Sequence, residues 1–165
     1  MSRIFTTHVG SLPRSKRVTD LVFAHEQGGG YDRQEYERTI ADAVLAVVAR
    51  QVEAGIDVVS DGEQSKISYA TYIKDRITGF EGDSPRRTPR DLEAFPSFMK
   101  RLAASGGTPS YRRPRCTGPV APRTLEPLTV DIGNFRAAIA ATQPRGAFMN
   151  AASPGVIALF QPNEF

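Results

Sequence analysis

The most constraining stretch of this chain is a long amphipathic segment that ends on a glycine and runs straight into a β-branched one. Asp32 has the chemistry of a helix N-cap, and Glu35 three residues on completes a capping box. Tyr31 and Tyr36 flank the cap as a hydrophobic staple. Ile40, Ala43, Val44, Val47, Val48 and Val52 then recur with helical period, and Gly55 stands where a left-handed C′ residue belongs. The spacing predicts a helix from about Arg33 to Ala54. Ile56-Asp57-Val58-Val59-Ser60-Asp61-Gly62-Glu63 follows with almost no connection. It reads as a buried strand that delivers Asp61 and Glu63 to a turn. In a parallel α/β protein the carboxyl ends of strands are where sites are built.

The remaining chain repeats this plan. Ile4 to Leu12 is short and β-branched, with Gly10 and Pro13 closing it, so it reads as a first strand. Val18, Leu21 and Val22 have helical spacing, and Gly28-Gly29-Gly30 ends that helix. Tyr69 to Ile77 can be helical, and residues 79–90 are a polar, proline-bearing loop. Leu92, Phe95, Phe98, Met99 and Leu102 suggest another helix before Gly106-Gly107. Arg115 to Pro122 reads as a third strand. Asp131 is a possible cap for a helix carrying Phe135, Ala138, Ile139 and Ala141. Gly146 to Ala152 reads as a fourth strand, and Ser153-Pro154 can open a last helix. Four strands, each with helical material behind it, predict a parallel α/β sheet. Eight such units make a barrel of about 250 residues or more, and the four read here are roughly half of that number. No G-x-G-x-x-G follows the first strand, which disfavours a dinucleotide fold. The triple glycine has neither a strand before it nor a P-loop lysine after it.

Composition narrows the class. Apolar residues make up 40% and charged residues 24%, as in ordinary globular domains. No run approaches the roughly 18 apolar residues of a membrane span, and Met1 to Phe5 lacks the apolar region of a secretory signal. The single cysteine, Cys116, excludes an internal disulfide and fits a reducing, cytoplasmic setting. Basic residues Arg86, Arg87, Arg90, Lys100, Arg101, Arg112, Arg113, Arg115 and Arg123 crowd together. They form a solvated surface or bind an acidic partner. No aromatic residues interleave with them as a nucleic-acid stacking platform requires.

Three segments carry a resemblance. Thr6-Thr7-His8-Val9-Gly10-Ser11-Leu12-Pro13-Arg14, Asp57-Val58-Val59-Ser60-Asp61-Gly62-Glu63 and Ala152-Ser153-Pro154-Gly155 stand in family order at the ends of strands one, two and four. They resemble the cobalamin-independent methionine synthase family in its catalytic-domain-only form, with epoxyalkane:coenzyme M transferases as relatives and uroporphyrinogen decarboxylase more distant. The resemblance implies a (β/α)8 TIM barrel, of which residues 1–165 supply roughly the first four units as an N-terminal half. It implies methyl transfer from methyl-tetrahydrofolate polyglutamate to the thiol of homocysteine, held as thiolate by zinc. Alternatives are alkyl transfer to another thiol such as coenzyme M, and a non-catalytic half-barrel that self-associates or needs a missing C-terminal half. The resemblance assigns Val9, Gly10 and Ser11 to the amino-acid end of the thiol substrate, and Glu63 to its ammonium group. It places the zinc ligands, a His-x-Cys pair, a Glu and a later Cys, beyond residue 165, so no metal ligand is expected here. A role for the arginines in holding the polyglutamate tail is a further expectation.

Other residues have competing readings. His8 is a structural or hydrogen-bonding strand residue, or a supporting site group. His25 reads as surface, and Cys116 as a small buried hydrophobe. Asp61 and Glu63 can also cap the next helix, with Asp61 the better candidate for supporting the turn. Asp57, early in the strand, can pair with a cation at the barrel bottom. Asn150 and Ser153 are polar site groups or cap residues.

Overall fold

The structure is a computed structural model that describes residues 3–68, 70–84, 90–104 and 113–165. Helix α1 spans Lys16–Glu26 and is capped by Ser15, whose hydroxyl accepts from the Val18 amide. Helix α2 spans Arg33–Glu53. Its Asp32 carboxylate accepts from the Glu35 amide at 2.8 Å, and the Tyr31 and Tyr36 rings meet edge to face at 5.6 Å. The Glu35 side chain does not return to the cap but pairs with Arg17 of α1. Gly55, at φ +80°, closes the helix in a conformation that an L side chain resists.

Strand β1 is Val58–Val59. It pairs in parallel with β4, Gly146–Ala147, in the register Val58 to Gly146 and Val59 to Ala147. On its other side Thr7 forms a parallel bridge to Val58. The parallel sheet is therefore three segments wide among the described residues, with β1 in the middle. The long helix between β1 and β4 is α5, Glu126–Thr142. Helices α1, α2 and α5 cover one face of the sheet. Val18, Val22, Ile40, Val44, Val48, Val59, Phe135 and Ala138 form one buried cluster there. Ile40, Val44 and Val48 are the i, i+4, i+8 stripe of α2, and each is at most 4% exposed. Burying such a side chain contributes about 1.5–3 kcal/mol.

The expected third barrel strand is corrected. Strand β2, Phe80–Glu81, pairs antiparallel with β3, Arg115–Cys116, in a separate ribbon. The described residues between 60 and 125 thus form an excursion between adjacent parallel strands. Two further helices lie within it, α3 at Arg90–Glu93 and α4 at Pro96–Ala104. Gly79 permits the ribbon, because a Cβ there would lie 2.6 Å from the Gly118 carbonyl oxygen. The Tyr69–Ile77 helix reduces to a 3-10 turn at Tyr72–Asp75, with Tyr69 outside the described residues. Asp131 does not cap α5 but lies inside it, 8% exposed, accepting from the Tyr72 hydroxyl at 2.5 Å. Helix α6, Pro154–Phe160, opens as expected, with Ser153 as cap and proline at its start. No helix among the described residues is long and apolar enough to cross a membrane.

Candidate functional site

The carboxyl end of β1 carries four buried polar residues, Ser60, Asp61, Glu63 and Gln64, around Gly62. Ser60 is fixed by a reciprocal pair, Gln51 Nε2 to the Ser60 carbonyl at 2.8 Å and Ser60 N to Gln51 Oε1 at 3.0 Å. Gln51 extends the apolar stripe of α2 with a polar group, which is the signal that could have exposed this clamp. Asp61 is 3% exposed and accepts from Lys66 Nζ at 2.8 Å and from the Glu63 amide at 3.2 Å. It supports the turn rather than capping a helix. The chain then bends through Gly62 at φ +58° and Glu63 at φ +53°. A left-handed glutamate is uncommon and persists only where its surroundings hold it.

Arg14 does that holding. Its Nη2 donates to the Glu63 carbonyl at 2.5 Å and also to the Lys66 carbonyl, while Nε reaches the Gln64 carbonyl at 3.1 Å. Burial pulls this guanidinium below its ordinary pKa, while the charge of Glu63 acts the other way. The Leu12 amide adds a 3.0 Å bond to the Gly62 carbonyl, and Gln64 Nε2 donates to the Leu12 carbonyl at 3.1 Å. The loop after the first strand and the turn after β1 are thereby locked together. Arg14 and Lys66 are the supporting residues that sequence reasoning did not single out. Arg14 lies at the end of the first motif, whereas Lys66 gave no local signal.

Glu63 is 3% exposed as a residue. Ser11 Oγ donates to its Oε2 at 2.5 Å, and Asn150 Nδ2 donates to its Oε1 at 3.2 Å. Glu63 forms no ion pair among the described residues, the Arg14 guanidinium acting on its charge from beside the main-chain carbonyl. Gly10 turns at φ +96°, and the amides of Val9, Gly10 and Ser11 bond to no main-chain acceptor among the described residues. Ser11, Glu63 and Asn150 are thus gathered from three strand ends. Ser153 is not part of the cluster; its hydroxyl caps α6, 3.2 Å from the Val156 amide. His8 is half-buried, and its Nε2 has no partner among the described residues. At the opposite end of β1, Asp57 pairs with Arg3 and accepts from the Thr6 amide at 3.0 Å.

A family model described as "Cobalamin-independent synthase, Catalytic domain" matches residues 4–86, which include Ser11, Arg14, Asp61 and Glu63. The chain belongs to this family. It is 29% identical over 138 residues to a methionine synthase of Sulfolobus acidocaldarius, covering 84% of this chain and 35% of that protein. It is 28% identical to a methionine synthase of Saccharolobus solfataricus, covering 97% and 42%. The chain therefore spans well under half the length of these relatives. In fold it is similar to a B12-independent methionine synthase from Shewanella sp. W3-18-1, solved with selenomethionine. That match has a TM-score of 0.60 and 20% identity, and it covers 96% of this chain and 40% of that one. The mixed α/β architecture is accordingly that of a TIM-barrel family.

Zinc belongs to the expectations for this family, but the residues of the site do not fit it. Among the described residues no three His, Cys, Asp or Glu side chains come together as a ligand set. Cys116 is half-buried in β3, its Sγ 3.7 Å from the Gly118 carbonyl. Arg86, Arg87 and Arg112 lie outside the described residues. Arg113 donates to the Phe160 carbonyl at 2.5 Å, and Arg115 pairs with Glu164 at 2.9 Å.

Proposed function

We propose that the Ser11–Glu63–Asn150 cluster holds the amino-acid end of a thiol substrate, of the homocysteine type, in a methionine-synthase-like methyl transfer. The observation that carries this reading is the Glu63 carboxylate, which is buried, faces two neutral donors and has no ion-pair partner among the described residues. Burying an ionised carboxylate is costly unless a cation or enough hydrogen bonds compensate it. A carboxylate offers about four lone-pair sites, and Ser11 and Asn150 occupy two of them. A substrate ammonium group would take the remaining positions as a charge-assisted partner.

The substrate carboxylate would then meet the amides of Val9, Gly10 and Ser11. The Ser11 hydroxyl, displaced from Glu63 by the stronger donor, would turn toward it. The chain's part in the reaction is to bind and orient, placing the thiol at a fixed distance from a carboxylate anchor. Thiolate formation in this family is assigned to zinc. The described residues supply no ligand set for it, and no step is routed through it. A folate polyglutamate donor remains part of the proposal at family level. Coenzyme M carries a sulfonate and no ammonium group, so Glu63 disfavours it.

Calorimetric titration with L-homocysteine tests the reading. Saturable binding that weakens roughly tenfold or more in Glu63→Gln is expected, from the loss of a charged hydrogen bond. Equal binding of 2-mercaptoethanesulfonate, or an unchanged affinity in the variant, would refute it.

A further inference from the structure

A second polar region lies away from Glu63. A cavity of about 280 Å³ opens between α1, α2, the 3-10 turn at Tyr72–Asp75 and the start of α5. Neither Ser11, Glu63 nor Asn150 lines it. Its walls carry five carboxylates against Arg33, Lys74 and the imidazole of His25. The two glutamates at its rim are matched by Arg33, which pairs with Glu37 at 2.8 Å and Glu126 at 3.3 Å. The inner carboxylates are not fully matched. Lys74 is clasped by Glu26 Oε2 at 3.0 Å and Asp75 Oδ1 at 2.9 Å. Burial disfavours the Lys74 charge, yet these two partners hold it above the ordinary lysine pKa.

That leaves Glu26 Oε1. The Glu26 side chain is 8% exposed, and this oxygen is buried with no hydrogen-bond partner among the described residues. A native structure seldom leaves a buried carboxylate oxygen unpaired without a reason. Asp131 adds a second acid, bonded through one oxygen to the Tyr72 hydroxyl. Tyr31, Tyr36 and Tyr72 supply aromatic wall. The Arg76 guanidinium already lies 4.5 Å over the Tyr72 ring and His25 stacks on Tyr36 at 4.7 Å, so ligand contact is left to the faces of Tyr31 and Tyr36 that His25 does not cover. Burial, and then the charge of Asp131, raises the phenol pKa of Tyr36 and Tyr72, so both rings stay neutral. Excess negative charge, an unpaired buried acceptor and neutral aromatic faces together suit an organic cation.

We propose that this cavity is a binding site for a small aliphatic ammonium ion, with its N–H group donating to Glu26 Oε1 and its alkyl chain against the Tyr31 and Tyr36 rings. The volume lies at the lower edge of ligand pockets and admits a chain of a few carbons. The site goes beyond the substrate cluster at Glu63 and does not depend on it.

Titration of the whole chain with n-butylammonium chloride, followed by NMR, tests the proposal, with 1-butanol and sodium butyrate as neutral and anionic controls. Saturable binding of the amine alone is expected, with contacts from its butyl protons to the Tyr36 ring. Glu26→Gln should weaken it roughly tenfold, and Glu63→Gln should leave it unchanged. Binding of butanol as tight as the amine, no contacts to Tyr36 in the unsubstituted chain, or loss of binding in Glu63→Gln instead would each overturn it. The ring contacts are read in the unsubstituted protein, so they decide the matter even if Glu26→Gln fails to fold.

Discussion

Asp61 and Glu63 stand two residues apart on one turn, equally buried, and the protein treats them in opposite ways. Asp61 faces a buried ammonium, Lys66, in a closed pair whose side chains are each 4% exposed. Glu63 faces a hydroxyl and an amide and has no ion-pair partner among the described residues, although the Arg14 guanidinium, bonded to its main-chain carbonyl, acts on it electrostatically. The first arrangement is an electrically complete pair. The second has a charge that neutral donors stabilise but do not cancel. The difference separates a residue that builds the turn from one positioned to receive something. The largest test of it is Lys66→Met. Removing one partner of a buried ion pair strands the other, at a cost of about 3–5 kcal/mol. Denaturant unfolding should show that loss, and a change below about 1 kcal/mol would mean that Asp61 is not dependent on Lys66.

Gly62 lies between the two acids and keeps them apart. Its φ of +58° is left-handed, and a Cβ there would approach the Leu12 Cβ at 3.1 Å and Val47 Cγ2 at 3.2 Å. Gly62→Ala should therefore cost about 1–3 kcal/mol in thermal or denaturant unfolding, through strain and crowding together. A neutral outcome would show that the turn can relax, and that the left-handed Glu63 is not forced by its neighbours. Glu63→Gln is the counterpart with a small effect on stability. Gln keeps an acceptor for Ser11 or Asn150, so unfolding should move by no more than about 1 kcal/mol either way. A loss comparable to that of Lys66→Met would place Glu63 with Asp61 as a structural acid.

How much of this was legible follows the range of the interactions. Helix α2 was readable to within a residue because cap, staple, stripe and C′ glycine are all local. Ser11 and Glu63 were singled out through short motifs that carry the family resemblance, and the structure brings the two side chains into contact, while their role toward a substrate is a proposal. The Asp61–Lys66 pair was not, since a lysine five residues from an aspartate looks like any solvated charge until burial is known. The ribbon of Phe80–Glu81 with Arg115–Cys116 was misread for a similar reason. Arg115 to Pro122 has strand character, but nothing local says whether its partner is parallel or antiparallel. Asp131 looked like a cap because acids favour helix starts, whereas the Tyr72 hydroxyl 59 residues away is what accounts for it. Residues joined by long-range hydrogen bonds are the ones local pattern cannot recover.

Asp57 supplies a third acid, at the far end of the same strand, and the smallest of the tests. It is compensated differently again. The Thr6 amide, its hydroxyl and the Arg3 guanidinium hold its carboxyl below the ordinary value of 3.8, the backbone hydrogen bond contributing most. A carboxyl depressed in the folded state binds its proton less readily than in the unfolded chain. Its contribution to stability is therefore complete above the ordinary carboxylate range, and it is lost as pH falls through the depressed value. Melting temperature should decline as pH is lowered below 3.8, and Asp57→Asn should flatten that part of the profile while lowering the plateau above it. Because Arg3 is 63% exposed, added salt should change the Asp57 contribution only slightly if the Thr6 amide dominates. A strong salt dependence would reverse the ranking and make Asp57 the surface end of an ion pair. In that case β1 would carry a charge-paired acid at each end, and Glu63 would be the one acid on this strand and turn with no ion-pair partner among the described residues.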